Sequence, residues 1–202
     1  MRGTGFVVRE GNLIATNAHV VTDITDPEME LVVRIGQGRS QSESRLRPAK
    51  VIAVSKTHDL AVLRIEGEPF PALKLANSDS VREGQTIAFT GFPIGGALGF
   101  SPVTHRGIVS SITPIALPAG NASQINDKLI RQLKSGTFNI FQLDATAYPG
   151  NSGSPVFDVT SGEVIGVVNM VFIKGTKEAA LSQPSGIAYA IPANYLNQLI
   201  DK

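Results

Sequence analysis

The chain has no cysteine, almost no excess of either charge, only three histidines and no long apolar run. Without thiols there is neither a disulfide framework nor a thiolate zinc site, and the redox compartment stays open. Eighteen Lys and Arg against 17 Asp and Glu leave a formal charge of +1. No overall field therefore draws the protein to nucleic acid or to an anionic membrane. No stretch approaches the roughly 20 apolar residues that cross a bilayer, and the opening MRGTGFVV lacks the apolar core of a signal peptide. A soluble chain without a visible address is expected, and no cofactor is called for.

What is present is a chain of 202 residues, 42% of them apolar, with 20 glycines and 12 prolines. That length lies between one ordinary domain and a pair of small ones. Glycine and proline punctuate many short runs rich in Val, Ile and Leu, the pattern of an all-β protein. In the first half, strands are expected at Phe6 to Arg9, Leu13 to Thr16, Leu31 to Ile35, Ala49 to Val54 and Leu60 to Ile65. Residues 66 to 84, EGEPFPALKLANSDSVREG, carry prolines, charges and turn residues with little periodicity, as a crossing between two halves would. The boundary is placed near residue 80, giving units 1–80 and 81–202. In the second unit, strands are expected at Thr86 to Gly91, Gly107 to Ile112, Phe138 to Leu143, Val164 to Val171 and Gly186 to Ile191.

Two segments depart from this pattern. Residues 121 to 136 place Ile125, Leu129 and Leu133 on one helical face, with Ser123 able to cap the start and Gly136 to end it. Lys128, Arg131 and Lys134 on this helix read as a solvated face, or alternatively as a partner contact. A terminal helix at about 192–201 begins at Pro192 and carries Tyr195, Leu196, Leu199 and Ile200 on one side, expected to dock on the second half.

The chemistry is concentrated around YPGNSGSP, residues 148 to 155. All three histidines, His19, His58 and His105, precede Ser152, which excludes the Ser, acid, His order of α/β-hydrolases. There is no H-E-x-x-H and no close ligand spacing, so a zinc site is not expected. What remains is the order His19, Asp59, Ser152, each at a strand end or in a loop. A serine hydroxyl attacks only when an imidazole takes its proton, and a carboxylate fixes that imidazole's tautomer and stabilises the cation that forms. Gly150, without a Cβ, permits a strained turn in which N–H groups converge on one spot. The expected oxyanion hole therefore spans Gly150, Asn151 and Ser152, with Gly150 and Ser152 as donors. Taken alone, GNSG reads equally as a plain turn, His19 as a core histidine and Asp59 as a strand-end cap. His58 is a poor rival base because it would face away from Asp59 on a strand, and His105, in FSPVTHRG, is placed in a loop.

With these residues in hand, the chain resembles the chymotrypsin-like serine peptidases, and within them the disulfide-free HtrA (Deg) branch. The matching stretches are GTGFVV, LIATNAHVV, THDLAVLRI, SDSVREGQTIAFTGFP, GIVSSI, YPGNSGSPVFD, GEVIGV and GIAYAIP, spanning residues 3 to 192. The resemblance implies two perpendicular six-stranded barrels, with His19 and Asp59 from the first and Ser152 from the second. It also implies hydrolysis of peptide bonds in unfolded or flexible polypeptides through an acyl-enzyme. Where trypsin-like enzymes activated by cleavage carry an Asp before the nucleophile, this chain has Asn151, so activation by a new N-terminal ammonium is not expected. Thr146, six residues before the nucleophile, is small and neutral. With Val168, Asn169 and Met170 on one wall and Ile187, Ala188 and Tyr189 on the other, it is expected to form a pocket for small or medium aliphatic side chains.

Some features depart from the branch. The motifs begin at residue 3, so the segment that helps trimerisation is not expected and the oligomeric state is open; no PDZ domain is expected after Lys202. The insertion at 121 to 136 is longer than usual, and Ser154 stands where glycine is common. Asn121-Ala122-Ser123 matches a glycosylation sequon that matters only in a secretory host. The resemblance favours an extracytoplasmic or organellar compartment. The alternative function is a catalytically silent domain that binds peptides or a partner; an esterase on the same triad is a further one.

Overall fold

The computed structural model describes residues 3–22, 30–36, 45–93, 101–114, 138–169 and 186–202. In chain order these form β1 (Phe6–Val8), β2 (Leu13–Thr16), α1 (Ala18–Thr22), β3 (Val32–Ile35), β4 (Arg45–Ser55) and β5 (Leu60–Ile65). After a 3₁₀ turn at Ser78–Ser80 come β6 (Thr86–Gly91), β7 (Val103–Pro114), β8 (Asn139–Asp144), β9 (Pro155–Asp158), β10 (Val164–Val168), β11 (Ile187–Pro192) and α2 (Ala193–Ile200). The expected helix at 121 to 136 and Met170 lie outside the described residues.

The second half closes as expected: its six strands form a barrel in the order β10-β11-β8-β7-β6-β9. One of these strands, β9, follows directly on the segment around Ser152 and is hidden in the sequence by its opening proline. The first half differs from the six-stranded barrel expected. Among the described residues it is an open five-stranded sheet, ordered β1-β2-β5-β4-β3. The edge at β1 is occupied instead by the connector: Leu73 N donates to Val7 O at 2.9 Å and Phe70 N to Gly11 O at 2.9 Å. Gly11 makes this approach possible, since a Cβ on it would lie 2.3 Å from Phe70 O and its φ is +91°. The connector thus satisfies backbone groups that another strand would otherwise have to pair.

Central strand β5 carries five buried residues and one exposed arginine, Arg64, because both of its faces are covered. Its partner β4 is longer than the sequence suggests and contains an irregularity between Val51 and Ala53, where the strand can bend. The barrel has its own core around Phe89, Phe141, Leu143 and Val156. A second apolar cluster joins the halves: Phe6, Val8 and Leu60 pack with Val164, Val167 and Ile191, and Leu196 and Leu199 of α2 complete it. The terminal helix therefore straddles both halves and is not docked on the second alone. At about 25 cal/mol per Å² of apolar surface removed from water, such a shared cluster opposes separation of the sheets and so fixes residues contributed by each.

Candidate active site

His19 is the second residue of α1, a single helical turn where the sequence suggested a strand end or loop. The turn is tied to the β4–β5 connection: Ala18 N and Asn17 Nδ2 both donate to Asp59 O, at 3.1 and 3.0 Å. Asp59 itself has φ +51°, a left-handed conformation that a short polar side chain tolerates. This conformation accompanies a carboxylate that turns back to α1. Its Oδ1 accepts the His19 backbone N–H at 2.8 Å, and its Oδ2 faces His19 Nδ1 at 2.5 Å. An ionised carboxylate is an acceptor only, so this contact assigns the ring proton to Nδ1 and leaves Nε2 as the basic nitrogen.

A residue from the other half completes the carboxylate's surroundings. Asn169, fully buried just beyond β10, donates its Nδ2 to Asp59 Oδ2 at 2.7 Å. Its backbone N–H is held separately by Tyr189 O at 2.8 Å. Asn169 is named by the sequence as a pocket wall; the structure puts its amide on the acid. Nothing in the local sequence signals this, because the contact spans 110 positions.

The segment around Ser152 consists of two interlocked tight turns. Asn151 N donates to Tyr148 O at 2.9 Å, closing a turn with Pro149 second and Gly150, φ +103°, third. Ser154 N then donates to Asn151 O at 3.0 Å, closing a turn with Ser152 second and Gly153, φ +87°, third. Both have the residue pattern of type II turns, which need a positive φ at the third position. Asn151 N–H is therefore committed inside the first turn, in keeping with an expectation that named only Gly150 and Ser152 as donors. Among the described residues, the N–H groups of Gly150 and Ser152 have no hydrogen-bond partner. The segment is anchored to β10, where Gly153 N donates to Val168 O at 3.0 Å and Val168 N to Ser154 O at 2.9 Å. Gly3 links it to the histidine turn, for a Cβ there would meet both Val20 Cγ2, at 2.6 Å, and Ser152 O, at 2.9 Å.

The other sequence candidates are placed as follows in the two halves. Val168 pairs with Ala190 across β10 and β11, and Ala188 is fully buried, whereas Ile187 is 44% exposed. Tyr189 and Thr146 are half-buried, and Ala145 N donates to Gly186 O, bringing the segment carrying Thr146 to the start of β11. His58 lies in the β4–β5 turn, not on a strand, stacked on Tyr195 with ring centroids 4.2 Å apart and edge-on to Phe138 at 4.7 Å. Its own Nδ1 meets Ser55 Oγ at 3.0 Å, so it serves the α2 contact and not the carboxylate. His105 is on β7, not in a loop, stacked on its cross-strand partner Phe89. Burial lowers the pKa of both His58 and His105, with Lys202 adding to the effect at His58. Ser154, fully buried, has a hydroxyl without a hydrogen-bond partner among the described residues.

The family model of the trypsin-like peptidase domain matches residues 3–167. The mitochondrial serine protease HTRA2 of Drosophila pseudoobscura pseudoobscura is 32% identical over 200 residues, which are 99% of this chain and 38% of that protein. The mitochondrial HTRA2 of Drosophila yakuba is 30% identical over 200 residues, 99% of this chain and 39% of its own length. A solved structure of the HtrA-type protease AlgW with a decapeptide superposes with a TM-score of 0.67 at 26% identity, covering 96% of this chain and 49% of that one. AlgW with a tripeptide gives a TM-score of 0.69 at 25% identity, covering 98% and 54%. The chain thus spans well under two thirds of the length of these relatives. Because the family match runs through both sheets and through His19, Asp59 and Ser152 alike, the chain belongs to the trypsin-like peptidase domain family, as an HtrA-type serine protease domain.

Proposed function

We propose that this domain is a serine endopeptidase in which Ser152 is the nucleophile, His19 the general base and then acid, and Asp59 the group that orients His19. The observation that carries the reading is the Asp59 carboxylate, which holds both the backbone N–H and the Nδ1 of His19. In the first step His19 Nε2 takes the Ser152 hydroxyl proton as Oγ attacks the scissile carbonyl carbon. Asp59 stabilises the imidazolium that results, without itself taking the proton. The carbonyl oxygen, now an oxyanion, is received by the N–H groups of Gly150 and Ser152. Collapse of the tetrahedral intermediate breaks the C–N bond, His19 returns its proton to the leaving amine, and an acyl-enzyme remains. Water repeats the sequence, giving its proton to His19 and its oxygen to the acyl carbon, and Ser152 is regenerated.

The substrate class we infer is polypeptide in unfolded or flexible segments, since an extended chain is what a cleft between two sheets can admit. The AlgW structures hold a tripeptide and a decapeptide, which supports a peptide ligand. Preference for small or medium aliphatic side chains follows from Thr146, Val168 and Ala188, all neutral, whereas a Lys or Arg in a closed pocket would need a carboxylate to repay its desolvation. The test is turnover of an unfolded protein by the wild type, Ser152→Ala and His19→Ala. Ser152→Ala should lose on the order of 10⁶ in turnover, as where such triads have been dissected. Wild-type rates in Ser152→Ala would refute the reading.

A further inference from the structure

Thr4 stands two residues before β1, outside any strand, and is 5% exposed. Each of its polar groups is engaged. Its backbone N–H donates to Ser152 O at 2.8 Å, and its carbonyl accepts Thr16 Oγ1 at 2.7 Å. Its hydroxyl donates to Gly150 O at 2.7 Å and accepts Phe92 N–H at 3.1 Å. These partners come from the end of β2, the residue after β6, and both turns of the nucleophile segment. Glycines allow the close approach: a Cβ on Gly153 would lie 2.0 Å from Thr4 O, and one on Gly91 would lie 3.1 Å from Thr4 Oγ1.

The two contacts on the nucleophile segment fall on the carbonyls of the residues whose N–H groups face no partner among the described residues. A peptide group is planar, so holding a carbonyl holds the whole plane. The Gly150–Asn151 plane is gripped at both ends, by Thr4 Oγ1 on its oxygen and by Tyr148 O on its N–H. The Ser152–Gly153 plane is gripped by Thr4 N on its oxygen and by Val168 O on its N–H. The intervening plane, which carries Ser152 N–H, is bounded on both sides by fixed planes. Glycine at 150 would otherwise permit rotation at little cost, and position 151 carries an amide, so no ion pair at that residue orders the segment.

We propose that Thr4 is the positioning residue of the oxyanion-binding loop: its hydroxyl and backbone N–H fix the Gly150–Asn151 and Ser152–Gly153 planes and so set the direction of the Ser152 N–H between them before substrate arrives. The proposal rests on the peptidase reading and adds to it a pre-organising brace from the segment that leads into β1. A brace of this kind acts on the tetrahedral intermediate and not on ground-state binding.

The test compares Thr4→Val, which removes the hydroxyl at nearly constant volume, with Thr4→Ser, which restores it. An aliphatic fluorogenic peptide reports kcat and KM. A peptide trifluoromethyl ketone, whose Ser152 adduct carries an oxyanion, is compared with the corresponding alcohol, which forms none. Thr4→Val is expected to lose about 10- to 100-fold in kcat, as misplaced catalytic groups do. Ketone affinity should fall in parallel while KM and alcohol affinity hold, and Thr4→Ser should recover most of the loss. Rates are normalised to the folded fraction read from each unfolding curve, and Thr4→Ala repeats the comparison. Wild-type kcat in folded Thr4→Val, or an equal loss of ketone and alcohol affinity, would overturn the proposal. So would Val and Ala variants that do not fold at all beside a folded Ser variant, since Thr4 would then be a fold anchor only. A wild type that neither turns over peptide nor forms the ketone adduct would refute the peptidase reading, and the brace with it; an active wild type with an unimpaired Thr4→Val sinks the brace alone.

Discussion

Replacing Asn169 by alanine removes a donor that the second half places on the Asp59 carboxylate, 2.7 Å from Oδ2. A hydrogen bond to a charged group contributes about 1.5–3 kcal/mol. If the bond strengthens the carboxylate's hold on His19 as the imidazolium forms, its loss appears in the barrier, where each 1.36 kcal/mol is about tenfold in rate. Asn169→Ala should therefore lower kcat by about 10- to 150-fold, toward the lower end if water enters the vacated space. The backbone of Asn169 remains held by Tyr189 O, which the substitution does not touch. Steady-state kinetics on an aliphatic fluorogenic peptide should place the loss in kcat with KM little changed. A double-mutant cycle with Asp59→Asn sharpens the test, because a residue acting only through Asp59 adds little once that charge is gone. An unchanged kcat in Asn169→Ala, or an equal loss in both backgrounds, would refute the reasoning.

Other substitutions probe the supports of the site. Gly153→Ala forces φ +87° on a residue with a Cβ that would lie 2.0 Å from Thr4 O. The backbone conformation alone costs about 1–3 kcal/mol, so thermal unfolding should shift down and activity fall with it; a variant of unchanged midpoint and rate would contradict the packing described. Leu196→Ala empties a fully buried position in the cluster joining the two halves, and a urea titration should show a loss of about 2–5 kcal/mol. Burial places the His58 and His105 pKa values below the ordinary 6.5. The unfolded chain then takes up protons first on acidification, so stability is full above about pH 6.5 and is lost as pH falls through the lowered folded values. Urea midpoints should drop across that window, and less so in His58→Gln; identical slopes for the two proteins would argue against a contribution from His58.

His19, Asp59 and Ser152 could be named as candidates because the proposed chemistry demands all three residue types and the chain offers few histidines. The structure brings His19 and Asp59 together, and Gly3 lies between the segment around Ser152 and the histidine turn. What carries His19 was not readable: Ala18–Thr22 is a single turn with two adjacent valines, which resembles the end of a strand as closely as it resembles a helix. Pro155 likewise hid β9, since proline is a poor residue in a strand and is accepted here at the strand's first position. The sixth strand expected in the first half reflects the resemblance and not the residues, which supply a connector able to satisfy the β1 edge at Val7 and Gly11. Asn169 and Thr4 were illegible in their contacts for a common reason. Each acts across the junction of the two halves, on partners more than a hundred positions away, and local pattern carries no information about such pairs. A turn over GNSG was visible from its glycines, whereas its division into two turns, with Asn151 N–H committed inside the first, required the structure.

The central claim is that Ser152 is a nucleophile activated by His19, and covalent labelling tests it most directly. The wild type, Ser152→Ala and His19→Ala are treated with a fluorophosphonate, and the adduct is located by peptide mapping. The account predicts one adduct on Ser152 in the wild type, none in Ser152→Ala, and slowed labelling in His19→Ala. Equal labelling of wild type and Ser152→Ala, or no labelling of a wild type that also leaves unfolded polypeptide intact, would contradict it.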